Sequence, residues 1–425
     1  MHKKRILILG GGISGLSLAY FLSKRIDQFE IHLLEKNHRL GGWIDSDRST
    51  GFFFEKGPRI FRCSTSGAFL SLVNEIGLEK EMIYSSPQAK GRYLWKEGKL
   101  RKLPMLSGGL IAGILKELFT QPSMAEDESV WDFACRRFNP TIAEDVFDPM
   151  VTGIFGGSSR EISVKLAFPK LVAMEKEYGS VVKGFFKTPK HRGPALFSFQ
   201  RGVKSLIQKL EEVTPAMIHY GEEVVSIQQK DQGFVVQTGQ RSYEADYLFS
   251  ALPCQELGKL LIPQLLSIPM RGTTLVNVGY TQKVIRKKGF GYLVSSQEDD
   301  ELMGVIFDSN SFAEFNRTPD ETRLTVLLKR EDLPDNEARD IALRSLKKHV
   351  QITETPAVSM VARAPNVFPQ LRVGHAKKIE SIEAMVREKY PNLHLAGNYF
   401  YGVGVSDCIS RAQSVAENFL RATVS

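Results

Sequence analysis

The sequence predicts an α/β protein with α+β parts, and two observations carry this prediction. An apolar run at residues 6–9 leads into a glycine-rich turn at residues 10–15, followed by an amphipathic segment that ends near residue 23. A second apolar run at residues 31–34 ends on Glu35. Strand, glycine turn, helix, strand and acid follow one another in the order of a Rossmann-like βαβ unit that binds a dinucleotide.

Each glycine of this turn has a predicted task. Gly10 lets the chain turn sharply out of the first strand, and Gly12 lacks the Cβ that would hold the backbone away from a pyrophosphate. Gly15 lets the helix pack closely against the strand, and the helix N-terminus offers N–H groups to the phosphates. Glu35 is placed to accept hydrogen bonds from both ribose hydroxyls. These features predict a dinucleotide site and leave NAD and FAD both open.

Length, charge and cysteine content bound the class of protein. A chain of 425 residues is expected to form more than one domain. The net charge of +8 suits nucleic acid, an anionic membrane surface or an acidic small molecule, but no nucleic-acid-binding motif is present, so we expect no nucleic acid partner. No apolar run reaches the roughly 18 residues of a spanning helix, and the early first strand leaves no room for a leader peptide. The four scattered cysteines indicate a cytoplasmic protein without a metal site.

Two further glycine turns favour FAD over NAD. Gly41 and Gly42 are not needed for NAD but are expected where a longer cofactor lies along the sheet, as in FAD enzymes of the glutathione-reductase type. The turn at residues 402–404 opens a C-terminal helix at residues 409–420, and we expect this turn near the flavin ring, where the helix dipole would stabilise negative charge. Arg59 is interpreted either as facing the flavin phosphates or ring, or as a surface arginine.

The middle of the chain, from residue 126 to 195, is predicted to be largely helical, with a kink or two helices at Pro169. A helix over residues 105–119 has an unusually wide apolar face. It is interpreted either as a core helix or as a surface that dips into a membrane leaflet or borders a pocket for an apolar substrate. A basic cluster suits an anionic bilayer or a solvated loop; its members are Lys183, Lys187, Lys190, His191 and Arg192.

The second half of the chain is predicted to be rich in strands. Residues 222–229 and 233–238 alternate as a hairpin, and further strands are predicted at residues 274–280, 292–294, 302–307 and 324–328. The predicted architecture is a Rossmann-like FAD-binding domain of glutathione-reductase type, with an inserted antiparallel-sheet substrate domain and a helical block. We assign residues 1–75, 196–262 and 376–425 to the FAD-binding domain. Residues 76–195 are assigned to a helical, membrane-associated substrate region. Residues 263–375 are assigned to the substrate-binding sheet.

Several motifs together resemble one family, the oxygen-dependent protoporphyrinogen oxidases, within the monoamine-oxidase-like flavoenzymes. One residue departs from the family pattern, because Ser406 stands where asparagine is expected. The motifs that carry the resemblance are residues 10–16, 40–44 and 55–59, Gly156, and residues 163–169, 199–202, 250–253, 289–293, 369–370 and 402–409.

The resemblance implies the oxidation of protoporphyrinogen IX to protoporphyrin IX in haem biosynthesis. Six electrons would leave in three flavin cycles, each passing a hydride from a meso carbon to flavin N5, with O2 reduced to H2O2. No side chain is assigned as a certain catalytic residue. Because porphyrins are poorly soluble, we expect a cytoplasmic protein and, as one interpretation, peripheral contact with the cytoplasmic face of the inner membrane. A homodimer is left open.

The resemblance also assigns site residues by position. Arg92 falls where the family holds a substrate propionate, and Phe290, Leu293 and Leu327 fall where apolar side chains sandwich the tetrapyrrole. The FAD contacts that it implies are Gly10, Gly11, Gly12, Ile13, Ser14, Gly15, Glu35, Lys36, Gly42, Trp43, Gly57, Pro58, Arg59, Ile60, Val224, Gly402, Val403 and Gly404.

Three alternatives stay open at this point. The same chemistry on coproporphyrinogen III, which carries four propionates instead of two, would be favoured by more basic residues around the pocket. A flavin amine oxidase or carotenoid desaturase would share the fold and glycine motifs, although residues 402–409 lack the aromatic signature of amine oxidases. The third alternative is an FAD-stabilised scaffold without enzymatic activity.

Overall fold

The computed structural model describes residues 3–103, 107–189, 193–298 and 301–424. Positions 105 and 106 of the predicted helix lie outside the described residues, as do Lys190, His191 and Arg192 of the predicted basic cluster. The described residues form a mixed α/β fold with one sheet of five strands, one of seven strands and three smaller sheets.

The secondary structure elements have the following bounds. The strands are β1 (Lys4–Leu9), β2 (Phe29–Glu35), β3 (Ser46–Asp47), β4 (Phe54–Glu55), β5 (Phe61–Arg62), β6 (Met82–Tyr84), β7 (Arg92–Lys96), β8 (Lys99–Leu103), β9 (Leu196–Phe199), β10 (Met217–Tyr220), β11 (Val224–Lys230), β12 (Gly233–Thr238), β13 (Ser242–Ala245), β14 (Tyr247–Ser250), β15 (Met270–Tyr280), β16 (Gly291–Val294), β17 (Leu302–Ile306), β18 (Thr322–Leu328), β19 (Val358–Pro369) and β20 (Leu393–Leu395). The helices are α1 (Ile13–Ser23), α2 (Gly67–Glu75), α3 (Gly108–Phe119), α4 (Val130–Arg137), α5 (Pro140–Ile142), α6 (Asp148–Phe155), α7 (Val164–Ala167), α8 (Pro169–Tyr178), α9 (Val181–Lys187), α10 (Lys204–Val213), α11 (Cys254–Leu260), α12 (Asp308–Ser311), α13 (Asp335–Val350), α14 (His375–Lys389) and α15 (Val405–Val424). A π-helical turn, Ala143–Phe147, joins α5 to α6, and 3-10 turns lie at Cys63–Thr65, Glu79–Glu81, Pro87–Lys90, Pro263–Ser267 and Ala313–Phe315.

The five-stranded sheet contains the predicted βαβ unit. Its order is β10-β2-β1-β14-β20, and all of its neighbouring strands are parallel. Residues 6–9 of the central strand β1 are fully buried, because both faces of the sheet are covered. On one face α1 packs between α10 and α15, and on the other lie the β11–β13 sheet, α11 and α14. Three distant segments of the chain therefore build one unit.

The seven-stranded sheet has the order β19-β15-β18-β17-β16-β7-β8. Its neighbours are antiparallel except for β16 and β7, which pair in parallel. The four strands predicted between residues 274 and 328 are confirmed, and β7 confirms the strand-like alternation of residues 89–95. Helix α13 covers one face, burying Val276, Tyr292 and Val326. The other face lies against the β3–β4 segment, where a Cβ on Gly279 would meet the ring of Phe52, and against α6.

Helices α3–α9 form a third layer with a core of its own. The predicted break at Pro169 separates α7 from α8. The core-helix interpretation of α3 is wrong, because Ile111, Leu115 and Phe119 on one side of the helix are 54%, 55% and 83% exposed. Within the described ranges, no helix combines the length and the apolar character that a bilayer crossing requires.

A buried ion pair fixes α3 to the rest of the helical layer. The carboxylate of Glu117 accepts hydrogen bonds from the guanidinium of Arg137, from Ser180 Oγ (2.6 Å) and from the Val181 N–H (2.6 Å). The side chains of Glu117 and Arg137 are fully buried. Burial raises the pKa of the Glu117 carboxyl, but the hydrogen bonds from Ser180 and Arg137 outweigh burial and hold that pKa below its usual range. The carboxylate is therefore charged at neutral pH.

Replacing Glu117 with alanine should lower the free energy of unfolding by about 3 kcal/mol, because the buried Arg137 guanidinium then loses its nearer counter-ion and keeps only the ion pair with Glu175 (3.5 Å). Denaturation by urea, followed by circular dichroism, measures this change. Glu337→Ala is the matched control, because the ion pair of Glu337 with Arg330 is exposed and should contribute less than about 1 kcal/mol. Equal effects of the two substitutions would contradict the role assigned to Glu117.

Candidate active site

The glycine turn after β1 has the geometry of a phosphate-binding loop. Gly10 has a φ of +95°, in the left-handed region that favours glycine. A Cβ on Gly15 would lie 1.8 Å from the carbonyl oxygen of Gly10, so only glycine fits where α1 passes the strand. At Gly12, in contrast, a Cβ would meet nothing within 4 Å. The backbone at Gly12 therefore borders open space of the kind that a phosphate fills.

The N-terminus of α1 begins at this open space. Its N-cap residue is Gly12, which supplies no side-chain cap, and its first turn contains no acidic residue. The first N–H groups of the helix and its dipole therefore favour an anion. The second glycine turn is held against the first, because the Gly41 N–H donates to the carbonyl oxygen of Gly11 (2.9 Å). A cofactor pyrophosphate fits these residues.

Glu35 at the tip of β2 supports this loop directly. Its Oε2 accepts a hydrogen bond from the Gly11 N–H (2.8 Å), and its Oε1 accepts from the N–H (2.9 Å) and the side chain (2.7 Å) of Asn37. A carboxylate has about four acceptor positions, so about one is left for a ribose hydroxyl, fewer than the two predicted. Val224 begins β11 nearby, because the preceding Glu222 N–H donates to the carbonyl oxygen of Glu35 (2.9 Å). Lys36 is exposed.

A second close backbone approach joins Trp43 to Gly57. A Cβ on Gly57 would lie 1.9 Å from the carbonyl oxygen of Trp43, and the Lys56 N–H donates to the carbonyl oxygen of Asp45 (2.8 Å). The Trp43 side chain itself is 41% exposed. The predicted cofactor-contacting segments 42–43 and 57–60 are therefore held side by side.

The side chain of Arg59 differs from both sequence interpretations. It is buried, and its guanidinium donates to Asp308 Oδ1 (3.3 Å), to Thr325 Oγ1 and to the carbonyl oxygen of Glu55 (3.1 Å). Asn277 donates to the same carbonyl oxygen (3.3 Å). Arg59 therefore joins the loop after β4 to the seven-stranded sheet, and only its backbone remains for the predicted cofactor contact.

Glu55 is a buried acid at this joint that the sequence analysis did not single out. Its carboxyl accepts hydrogen bonds from Ser46 Oγ (2.7 Å) and the Val203 N–H (2.8 Å), and burial raises its pKa to about 7. Glu55 and Arg59 line a cavity of about 10 Å³, room for about one water molecule. The available signal was an acid directly after the apolar run of residues 52–54.

The C-terminal glycine turn lies beside the first one, because α15 packs against α1. The Gly404 N–H donates to Asp407 Oδ2 (2.9 Å), so an acid in the first turn of α15 reaches back as in a capping box. The helix begins at Val405, four residues before the predicted start. Val403 packs against the core of the helical layer, and Ser406 Oγ donates to the carbonyl oxygen of Thr65 (3.4 Å). This turn is a meeting point of the three layers.

The predicted apolar substrate residues share one face of the seven-stranded sheet. Leu293 is paired with Gly304 on the neighbouring strand, and Gly304 is paired with Leu327 on the next. Because residues directly opposite each other point to the same side of a sheet, Leu293 and Leu327 lie on one face. This side is opposite the face covered by α13. A Cβ on Gly304 would lie 2.5 Å from the carbonyl oxygen of Tyr292, so only glycine fits between the two leucines, and Gly153 of α6 approaches Leu293 closely. The face is therefore apolar at this point, and α6 packs against part of it.

Arg92 lies on the same face, because it is paired with Gly291. Its guanidinium carbon lies 4.3 Å from the centroid of the Phe290 ring, and its Nη1 donates to the carbonyl oxygen of Ala89 (2.6 Å). Burial lowers the pKa of the Arg92 guanidinium, and the charge of Arg62 lowers it further. In the part of the chain that the structure describes, Nη2 of Arg92 has no hydrogen-bond partner. This half-buried cation beside an apolar floor suits a carboxylate on a flat apolar molecule.

Among the described residues, no three histidine, cysteine, aspartate or glutamate side chains are grouped so that they could hold a metal ion. The four cysteines are free, as the sequence predicts.

Comparison with known proteins agrees with this geometry. Residues 13–420 match the family described as flavin containing amine oxidoreductase. The chain is 32% identical to the protoporphyrinogen oxidase of Bos taurus and 24% identical to the coproporphyrinogen III oxidase of Bacillus subtilis, over 98% of each chain in both comparisons. Its fold is similar to that of a solved protein of Exiguobacterium sp. 255-15, provisionally titled a protoporphyrinogen oxidase, with a TM-score of 0.89, 24% identity and coverage of 99% and 100% of the two chains.

The family match covers nearly the whole chain, and one full-length relative is more than 30% identical. Both indicate a flavin-binding protein, as do the glycine turns and the helix α1 without a side-chain cap. The chain therefore belongs to the protoporphyrinogen oxidase family within the flavin-containing amine oxidoreductases, and it is an FAD-dependent oxidoreductase.

Proposed function

We propose that this protein oxidises protoporphyrinogen IX to protoporphyrin IX in haem biosynthesis. The observation that carries the proposal is one face of the seven-stranded sheet, on which Arg92 and Phe290 stand at one end of the apolar row formed by Leu293, Gly304 and Leu327. A tetrapyrrole is a wide apolar macrocycle with carboxylates at its edge, and it matches this combination. The names of the full-length relatives support the same substrate class.

The chain's own residues hold and orient the substrate. Arg92 would bind one propionate through its unpaired N–H groups, and stacking on Phe290 fixes the plane of the guanidinium. The row of leucines removes water from one face of the macrocycle. The pyrrole nitrogens supply the electrons that leave with each hydride, so the protein contributes orientation rather than a strong base.

The glycine turns would bind the FAD. Gly12 and the first turn of α1 would face the pyrophosphate, Glu35 would face a ribose, and the turn at residues 402–404, whose Val403 packs against the helical layer, would lie near the flavin ring. When bound, FAD supplies the acceptor of a hydride. The complete reaction removes six electrons in three two-electron oxidations and reduces three O2 to three H2O2.

The second candidate is the oxidation of coproporphyrinogen III to coproporphyrin III. The Bacillus subtilis relative carries that name and matches the whole chain. This substrate has four propionates, and it would use the same apolar face with more contacts to cations.

We further propose that α3 and α9 rest on an anionic membrane leaflet from the cytoplasmic side. Phe119 of α3 and Phe186 of α9 are 83% and 82% exposed, and the two helices pack against each other. Lys183 and Lys187 of α9 are exposed beside these rings, so the surface combines an apolar face with positive charge. The buried pair of Glu117 and Arg137 holds α3 in place.

Anaerobic mixing of the holoenzyme with protoporphyrinogen IX should bleach the flavin absorbance, because the substrate is the hydride donor. Coproporphyrinogen III and a primary diamine are tested in parallel. Faster bleaching by coproporphyrinogen III would select the second candidate, and bleaching by the diamine alone would select an amine oxidase. A flavin spectrum that none of these molecules changes would overturn the proposed activity.

Gly12→Ala should weaken FAD binding at least about tenfold without unfolding the protein, because its Cβ enters the open space proposed for the pyrophosphate. Flavin content per protein and the thermal midpoint of the apoprotein measure the two effects. Gly67→Ala is the matched control, since its Cβ also meets nothing within 4 Å. Full flavin content in Gly12→Ala would exclude a phosphate at this position.

Phe119→Ser combined with Phe186→Ser should reduce binding to phosphatidylglycerol-containing vesicles at least about tenfold, because each buried phenyl ring contributes roughly 1.5–3 kcal/mol. Co-sedimentation at low salt measures the bound fraction. Met217→Ser is the control, since Met217 is 45% exposed on β10. Wild-type protein that stays in the supernatant at low salt would disprove membrane docking.

A further inference from the structure

Two cations stand beside the loop Cys63–Thr65 without an acidic partner. Arg62 ends β5 and is exposed. Lys170, in the first turn of α8, donates its Nζ hydrogen bond to the carbonyl oxygen of Ser64 (2.8 Å). Within the described ranges, neither cation has a carboxylate oxygen at ion-pair distance. An unpaired lysine or arginine on the surface is common and does not by itself indicate a binding site. The position of these two cations in the fold is therefore the evidence for a role.

The fold brings Arg62 toward Arg92. Arg62 is paired with Leu196, and the carbonyl oxygen of Leu196 accepts a hydrogen bond from the Ser85 N–H (3.0 Å). From Ser85 the chain passes through the turn Pro87–Lys90 directly into Arg92. Arg62 is close enough for its charge to lower the pKa of the Arg92 guanidinium, in addition to the larger effect of burial. Among the described residues, two guanidinium groups therefore lie near each other without a counter-ion.

The same loop also touches the cofactor side of the site. The carbonyl oxygen of Thr65 accepts the hydrogen bond from Ser406 Oγ (3.4 Å), next to the glycine turn at residues 402–404. The loop with Arg62 and Lys170 thus lies between the predicted flavin turn and the sheet face that carries Arg92. Like charges held close together repel each other, and an anion that binds between them lowers their electrostatic energy.

We infer that Arg62 and Lys170 bind a second carboxylate of the substrate, next to the one assigned to Arg92. This inference rests on the proposed function. In a porphyrinogen with propionates on neighbouring pyrroles, two carboxylates leave the same edge of the macrocycle. Arg92 and Phe290 hold one of them, and Arg62 with Lys170 holds its neighbour by charge-assisted hydrogen bonds. The pair of carboxylates fixes which edge of the macrocycle enters first, which a single carboxylate cannot do.

The experiment compares substrates with and without charged carboxylates. Arg62→Gln and Lys170→Gln holoenzymes are assayed with protoporphyrinogen IX and with its dimethyl ester. Arg62→Gln should raise KM for the diacid about tenfold, the least expected from the loss of a hydrogen bond between charged groups. Lys170→Gln should raise it less. Neither variant should change kcat, the flavin spectrum or the KM for the ester.

Controls separate this inference from the proposed function. Arg387→Gln, an exposed arginine of α14, removes the same charge elsewhere and should leave KM unchanged for both substrates. Wild-type enzyme that oxidises neither form would refute the proposed function. If the wild type is active, two outcomes would overturn the second carboxylate site alone. One is an equal change of KM for the diacid and the ester in Arg62→Gln, and the other is no change of KM in that variant.

A variant that does not fold does not end the test. Arg62→Lys keeps the charge, and it should bind protoporphyrin more tightly than Arg62→Gln does, as measured by quenching of intrinsic fluorescence. For the wild type, raising the salt concentration should weaken the binding of protoporphyrin but not of its dimethyl ester. Equal salt dependence of the two ligands would overturn the inference without any variant.

Discussion

The buried polar joint around Arg59 holds the two halves of the site in register. Its guanidinium crosses from the loop after β4 to Asp308 and Thr325 on the seven-stranded sheet, and Asn277 of that sheet bonds back to the carbonyl of Glu55. Removing one member would leave other charged or polar groups buried without partners, which destabilises a protein strongly. Gly57, two residues before Arg59, is packed on the Trp43 backbone. The joint therefore sets the distance between the glycine turns and the sheet face proposed to bind the substrate.

The parts of the fold that follow local rules could be predicted from the sequence. The apolar runs at residues 6–9 and 31–34 are buried strands, and Pro169 divides two helices as its missing N–H requires. The parallel pairing of β7 with β16 could not be predicted, because it joins residues far apart in sequence and no local pattern names a strand's partner. In α3 the spacing of apolar residues predicts an apolar face but not what covers it. α13 carries a helical stripe of Ala338, Ile341 and Leu346 that the predicted architecture does not use.

The site shows the same division. The glycine turns could be predicted from the sequence, because a close approach of two backbone segments excludes a side chain and therefore requires glycine. Arg92, by contrast, is an ordinary strand-end arginine in its local sequence, and only the resemblance gave it a role. The partner of Arg59 could not be predicted from the sequence, because Asp308 lies 249 positions away and tertiary packing determines the counter-ion. Glu35 retains fewer acceptor positions than predicted because Asn37 and Gly11 use them first.

The order of strands in the five-stranded sheet governs when the cofactor site comes into being. β1 and the glycine turn leave the ribosome well before the neighbouring strand β14, which begins only at Tyr247, and α15, which covers α1, follows later still. Contacts between such distant segments form slowly and only after synthesis has reached them. Flavin capture is thus a late event in the life of each molecule. Until then the chain lacks the stabilisation that a bound ligand provides, and it is most open to chaperones and proteases in that interval.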